Sequence, residues 1–289
     1  MRATVFLFLA IFSLSCGREV PVLSGVATTS RSPTTAVAIP TSPPDILIPW
    51  QRQIGNINYR WDGKDLYSKQ HSRKDIVPIF ALATKRYRSS FEKDGGRCSL
   101  STYFIPAAVV GDLVSYEFES GFFCGTASGE WRYATLDVAR PNAFLDLRDL
   151  FDDDQILRAF LADPQLSSDI QKSIAEKKLD AVPTTLESLS SFLTKFDYQI
   201  YDGNSFFEAD YLTRFAFHHL EGEAICIRVS ATSTSTAGRA NHQYAEIFLP
   251  VPNKLRDVLQ KADTGSEGFL MKNSATKVGT LAATFESRF

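Results

Sequence analysis

The chain has 289 residues, 22% of them charged and 12% aromatic, with a formal net charge of -2 at pH 7. A balance this close to neutral, without a basic stripe, excludes the electrostatic footprint of a phosphate-binding surface, so no nucleic-acid partner is expected. The 22 Phe and 10 Tyr against 2 Met suit a chain with ample core for one domain or two small ones.

The first sixteen residues, MRATVFLFLAIFSLSC, read as an export leader: one basic residue, an apolar run from Val5 to Phe12, then small residues up to Cys16. The run is about half of the roughly 20 residues that a helix needs to span a bilayer, so residues 1–15 read as a signal peptide rather than a permanent span. A lipoprotein leader is cut just before a cysteine whose thiol then carries lipid, and Cys16 stands at that place. Ser13 departs from the branched apolar residue such leaders prefer, and Ser13 with Ser15 also suits an ordinary signal peptidase; an uncleaved start is the third option. Lipidation of Cys16 is the favoured expectation. Residues 16–45 follow as a tether: from Pro21 to Asp45 they are rich in Ser, Thr, Pro and Ala, with few charges and no aromatics. Leader and tether predict an extracytoplasmic protein anchored to a bacterial membrane by lipid on Cys16, facing the periplasm or the cell surface.

From Ile46 the composition turns globular, and it divides into a β-rich stretch, 46–143, and an α+β stretch, 144–289. Ile46 to Ile57 opens with an extended segment, and Ile76 to Arg88 suits a strand or a short helix. CSLSTYFIPAAV and LVSYEFESGFFC then flank Val110, Gly111 and Asp112 as a hairpin. Cys98 and Cys124 are equally far from Gly111, so a three-residue loop sets them opposite each other and predicts a disulfide between them. Cys226, within the alternating EAICIRVS, reads as a small buried strand residue.

A strand near Trp131 to Val138 comes next. Asp152 to Asp154 then open a helix that carries Ile156, Leu157, Phe160 and Leu161 on one face and stops at Pro164. A second helix is predicted over Ser167 to Leu179 and a third after Thr184. Strands return in FDYQIYDGNSFF, TRFAFHHL, EAICIRVS and QYAEIFLPV, and Pro252 leads a last helix, NKLRDVLQKA, before a polar tail. Strands, then helices, then strands predict an α+β fold: an antiparallel sheet with helices packed on one side, as one domain or two closely packed subdomains.

The chemistry-bearing residues are few. His218 and His219 are adjacent and His242 follows across a Ser/Thr-rich loop; neighbours on a strand point to opposite faces, so only one of the pair is expected to join His242, and no metal site is assigned. The acids Asp146, Asp149, Asp152, Asp153 and Asp154 lack the spacing and central glycine of a calcium loop and read as helix-start residues. GxSxG is absent, and neither GTASGE nor STSTSTAG has the ending of a phosphate loop. No catalytic residue and no cofactor is predicted. Phe122 with Phe123, and Phe206 with Phe207, cannot all point inward on strands. Some are expected to cover a second layer of helix, and the remainder to offer a recognition patch; Phe122, Phe123, His218, His219 and His242 are the candidate ligand contacts.

The passage GFFCGTASGEWRYATLDVARPNAFLDLRDLF resembles part of an extracytoplasmic domain found in sigma-V-type anti-sigma factors, before some peptidoglycan deacetylase domains, and alone in bacterial lipoproteins. Cys124, Gly125 and Ala127 match its turn, Leu145, Leu147, Leu150 and Phe151 its helix entry, and Glu246 to Leu255 its closing strand and proline-led helix. Thr126, Ser128 and Gly129 depart from the glycine, histidine or aromatic, and proline of many members. The similarity covers Cys98 to Leu255 and implies binding to a lysozyme-like protein or a cell-wall glycan. The expected function is a non-catalytic, membrane-anchored envelope module that binds a protein or cell-wall ligand. The alternatives are an envelope hydrolase whose site assembles only in three dimensions and a structural envelope component.

Overall fold

The long hairpin that the sequence centres on Gly111 is the middle of the molecule. In the computed structural model, which describes residues 49–72, 74–85, 99–123, 127–141, 144–195, 205–233, 243–273 and 284–286, it is formed by β5 (Ser99–Val110) and β6 (Leu113–Phe123). The loop is shorter than predicted: Val110 pairs with Leu113, and Gly111 and Asp112 alone make the turn. Gly111 takes φ +58, a left-handed value that glycine adopts without strain, at the first central position of a two-residue hairpin. A bulge between Pro106 and Ala108 then shifts the register by one, so that the described ladder ends with Ser99 opposite Phe123. Cys98 and Cys124 lie outside the described residues.

β7 (Ala127–Asp137) pairs along the whole of β6, and β13 (Thr284–Glu286), within the predicted polar tail, adds to the free side of β5. This central antiparallel sheet is apolar on both faces. One face carries Phe104, Val109, Val114, Tyr116, Phe118, Ala134 and Leu136. It is covered by a second antiparallel sheet, β1 (Trp50–Ile54), β2 (Ile57–Trp61), β3 (Leu66–Gln70) and β4 (Val77–Pro78), and by α1 (79–85). Ile57, Tyr59, Trp61, Leu66, Ile79 and Phe80 fill the space between, and Phe104 stacks on Phe80 at 5.1 Å and meets Tyr116 at 5.0 Å. Each such ring pair adds roughly 0.5–1.5 kcal/mol beyond its buried area. Only fragments of this four-stranded meander are predicted, because its strands are five residues or shorter and mix charged with apolar residues.

The other face of the central sheet contributes Ala108, Val110 and Leu113 to the larger core. That core is shared with α2 (Asp153–Ala162), α3 (Pro164–Ala175), α4 (Leu186–Leu193) and α5 (Arg256–Asp263), and with a three-stranded antiparallel sheet in the order β12 (Tyr244–Pro250), β10 (Ala224–Ser230), β9 (Phe215–Glu221). β8 (Ser205–Phe206) and β11 (Thr232–Ser233) form a short separate pair. The fold is α+β, as the order of elements predicts.

The helix boundaries follow local chemistry. Asp152 precedes α2 and its N–H donates to Gln155 Oε1 at 3.0 Å, while Asp146 caps the 3-10 turn Leu147–Asp149 by accepting from Arg148 N–H at 2.9 Å. The acidic run is thus spent on helix starts. Pro164 does end α2, and it is also the first residue of α3, capped by Asp163 Oδ1 accepting from Leu166 N–H at 2.8 Å. α3 stops at Ala175 rather than at the predicted Leu179. Lys177 turns left-handed, φ 57, while Lys178 N–H donates to Ser173 C=O at 2.9 Å and Lys177 N–H to Ile174 C=O at 3.0 Å, a Schellman closure. Among the described residues no helix is long and apolar enough to cross a membrane.

Candidate functional site

Strand alternation sorts the sheet β12-β10-β9 into two unlike faces. Ile225, Ile227, Val229, Ala245, Ile247 and Leu249 point into the larger core, which leaves Cys226, Arg228, Tyr244, Glu246 and Phe248 on the opposite face. Arg228 and Glu246 are cross-strand partners joined by Nη2 to Oε1 at 2.8 Å and Nε to Oε1 at 2.9 Å. The guanidinium lies 4.2 Å from the centre of the Tyr244 ring and donates to Met271 Sδ at 3.6 Å. The central sheet adds Trp131 and Tyr133, edge to face at 4.6 Å, with the Trp131 indole N–H donating to Glu117 Oε1 at 2.7 Å. Burial first, and then the Glu117 carboxylate, raise the Tyr133 phenol above its ordinary range, so it stays protonated and available to hydrogen-bond.

Beside this ledge lies a cluster that strand alternation argues against. Cys226 pairs with His219 and Ile227 pairs with Phe217, so β9 holds one residue more than β10 and bulges at His218. A bulge breaks the alternation of faces and re-aims the side chains next to it. The two histidines therefore come together instead of pointing apart: their Nδ1 atoms are 2.7 Å from each other and their ring centres 4.8 Å. One donor atom from each of His218, His219 and Cys226 lies within 4.8 Å of the other two. His219 also meets Phe248 edge to face at 6.0 Å and turns Nε2 toward Glu221 Oε2 at 4.0 Å.

Burial, with Arg228 and His219 adding to it, holds His218 down at about 4, so its ring is neutral at pH 7. Burial, with Glu246 adding to it, pushes the Cys226 thiol up to about 12. A fully buried, protonated thiol is a poor nucleophile, so the geometry does not favour a cysteine–histidine catalytic pair. Two imidazoles and a thiol are instead the donor types that a transition-metal ion takes.

Of the residues singled out by sequence, His218 and His219 are brought together here, and Cys16, Cys98, Cys124 and His242 lie outside the described residues. Phe122 and Phe123 end β6, and their side chains lie outside the described set. Phe207 is fully buried against Phe160, ring centres 5.9 Å apart, as second-layer covering requires. Leu145, Leu147 and Phe151 of the helix entry are buried in the larger core. The residue missed was Cys226 as a neighbour of the histidines. The signal was present: a two-residue turn at Gly222 and Glu223, between Glu221 and Ala224, sets Cys226 opposite His219.

A second concavity, about 330 Å³, opens at the tip of the long hairpin between Asp112, Asp137, Arg140 and Lys254. Both cations are engaged locally: Arg140 pairs with Asp137 at 2.8 Å and Lys254 donates to Asp149 C=O at 2.7 Å. No protein-family model and no curated protein matches the chain.

Proposed function

We propose that this chain is an extracytoplasmic lipoprotein, held to a bacterial membrane by lipid on Cys16, whose globular part is a non-catalytic module that binds a protein or cell-wall ligand. The leader and the Ser/Thr/Pro-rich tether support the address, and the resemblance over Cys98 to Leu255 to the sigma-V-type anti-sigma domain supports the class of ligand. The observation that carries the binding role is Phe248. It is a large apolar side chain left 44% exposed, beside His219 and on the same sheet face as the Arg228–Glu246 pair stacked on Tyr244. An exposed aromatic next to a fixed guanidinium is the kind of anchor that interfaces use.

Binding of the full lipidated chain, in detergent, to a lysozyme-like protein and to soluble muropeptides tests the reading. Micromolar binding to one of them, weakened about fivefold or more by Phe248→Ala, is expected. No binding to either overturns it. The convergence of His218, His219 and Cys226 as donors for a metal ion, rather than as a cysteine–histidine pair, favours an envelope hydrolase as the second reading; muropeptide cleavage by the wild-type chain, lost on His219→Ala, would replace the first.

A further inference from the structure

We infer that His218, His219 and Cys226 form a mononuclear site for a thiophilic divalent transition ion, Zn²⁺ in the first instance. Three features converge on it. The β9 bulge places two consecutive imidazoles on one side of the strand, a departure from regular pairing of the kind that is retained where a side chain must be re-aimed. The donor set is mixed nitrogen and sulfur, the types zinc prefers over carboxylate oxygen, and the donors already lie within 4.8 Å of one another.

The third feature is the outer contact. With Nδ1 of each ring turned toward the other, the remaining nitrogen of His219 faces the Glu221 carboxylate at 4.0 Å. That gap is longer than a hydrogen bond; a ligating histidine commonly donates its other ring N–H to a carboxylate, and Glu221 is the carboxylate beside that nitrogen.

Without metal, the Nδ1 atoms share one proton across 2.7 Å, one ring donating and the other accepting. Metal–nitrogen bonds of about 2.0–2.1 Å in tetrahedral geometry set two such nitrogens roughly 3.3 Å apart, so loading opens the pair by a rotamer adjustment and leaves the strand in place. Zn²⁺ displaces the shared proton to the outer nitrogen of the donating ring, and the Cys226 thiol proton leaves to solvent as the Zn–S bond forms. No oxidant or reductant is involved. The surrounding charges offset one another: Arg228 and Lys272 are opposed by Glu246 and Glu221. Three protein donors leave a fourth position for water, the arrangement of an open site rather than a closed structural one.

Cobalt titration of the metal-free full chain tests this. Co²⁺ should bind one per chain with an intense thiolate-to-cobalt charge-transfer band, and Zn²⁺ should displace it. The band should vanish in Cys226→Ser. Glu221→Gln, a change at an exposed position, should weaken binding about tenfold or more without unfolding the protein. Zn²⁺ binding to the wild-type chain should also release about one proton per ion, from the Cys226 thiol, read in weakly buffered solution, a readout that needs no variant. Absence of the band in folded wild-type protein, its persistence in Cys226→Ser, or Zn²⁺ binding without proton release overturns the assignment. Because ligand binding at Phe248 is read separately, failure of the metal site and failure of the binding role remain distinguishable.

Discussion

Ser115 and Thr135 face each other across β6 and β7 with their hydroxyl oxygens 2.8 Å apart and both side chains fully buried. Thr135 donates to Phe215 C=O at 2.7 Å, and Ser115 accepts from Phe217 N–H at 3.2 Å. Ser115 therefore donates to Thr135, and each of the two hydroxyls both donates and accepts. Phe215 and Phe217 belong to β9, the edge strand of its sheet, so two side-chain hydroxyls stand in for the missing neighbour strand. This junction seats β9, with its two histidines, on the central sheet.

Thr135→Val keeps the shape and removes the donor, which strands the Phe215 carbonyl and the Ser115 hydroxyl in the interior. Unfolding in urea should show a loss of roughly 1–3 kcal/mol, and a loss within error of zero would mean the junction is held by packing alone.

Asp65 caps α1 from outside the helix: Oδ1 accepts from Phe80 N–H at 2.7 Å and Oδ2 from Ala81 N–H at 3.0 Å. Pro78, just before the helix, has no side-chain acceptor to offer. Asp65→Ala should cost about 1–2 kcal/mol by urea denaturation. Asp65 also carries a pH signature. Burial, with Asp62 adding to it, raises its carboxyl above the ordinary value in spite of the Phe80, Ala81 and Leu66 N–H groups. A folded-state value above the unfolded one means that the protonated group stabilises. That contribution is complete below the unfolded value of about 3.9 and is lost as pH rises through the folded one. Asp65→Asn should flatten that acidic segment of the stability curve; an unchanged curve would refute the shift.

Lys177 holds φ 57 at the end of α3, a conformation that costs a non-glycine residue roughly 1–2 kcal/mol. Lys177→Gly should raise stability by about 1 kcal/mol, read as a higher Tm. Gly268 is the converse case. It has φ +88, and an added Cβ would meet Val109 O at 2.1 Å, where Val109 and Phe269 bridge through N–H to C=O bonds of 2.9 and 3.0 Å. Gly268→Ala should cost roughly 2–4 kcal/mol, combining strain with a displaced backbone. Equal effects of the two substitutions would contradict the geometry.

Two expectations from the sequence concern cysteines. Fatty-acid labelling of cells should mark the native chain and not Cys16→Ser; equal labelling of both would exclude the anchor. The β5–β6 register ends with Ser99 opposite Phe123, one pair short of the proposed Cys98–Cys124 bridge. Non-reducing peptide mapping should recover those two cysteines joined and Cys226 as a free thiol. A bridge involving Cys226 would overturn both the pairing and the metal site.

Local chemistry was enough to read much of this chain. Asp152, Pro164, Thr185 and Pro252 punctuate helices through groups that act within a turn of themselves, and the alternation of EAICIRVS orients β10 through the strand period alone. The α+β class followed from the order of those elements. What only the tertiary structure decided are the features made by residues far apart: the Asp65 cap on α1, the Ser115–Thr135 junction under β9, and the bulge that turns His218 and His219 to one side. A bulge is one extra residue in one strand, and whether it forms depends on which register buries the apolar face best against the partner sheet. Periodicity along a single strand carries no record of that competition, so the histidines were separable by sequence and are neighbours in the fold.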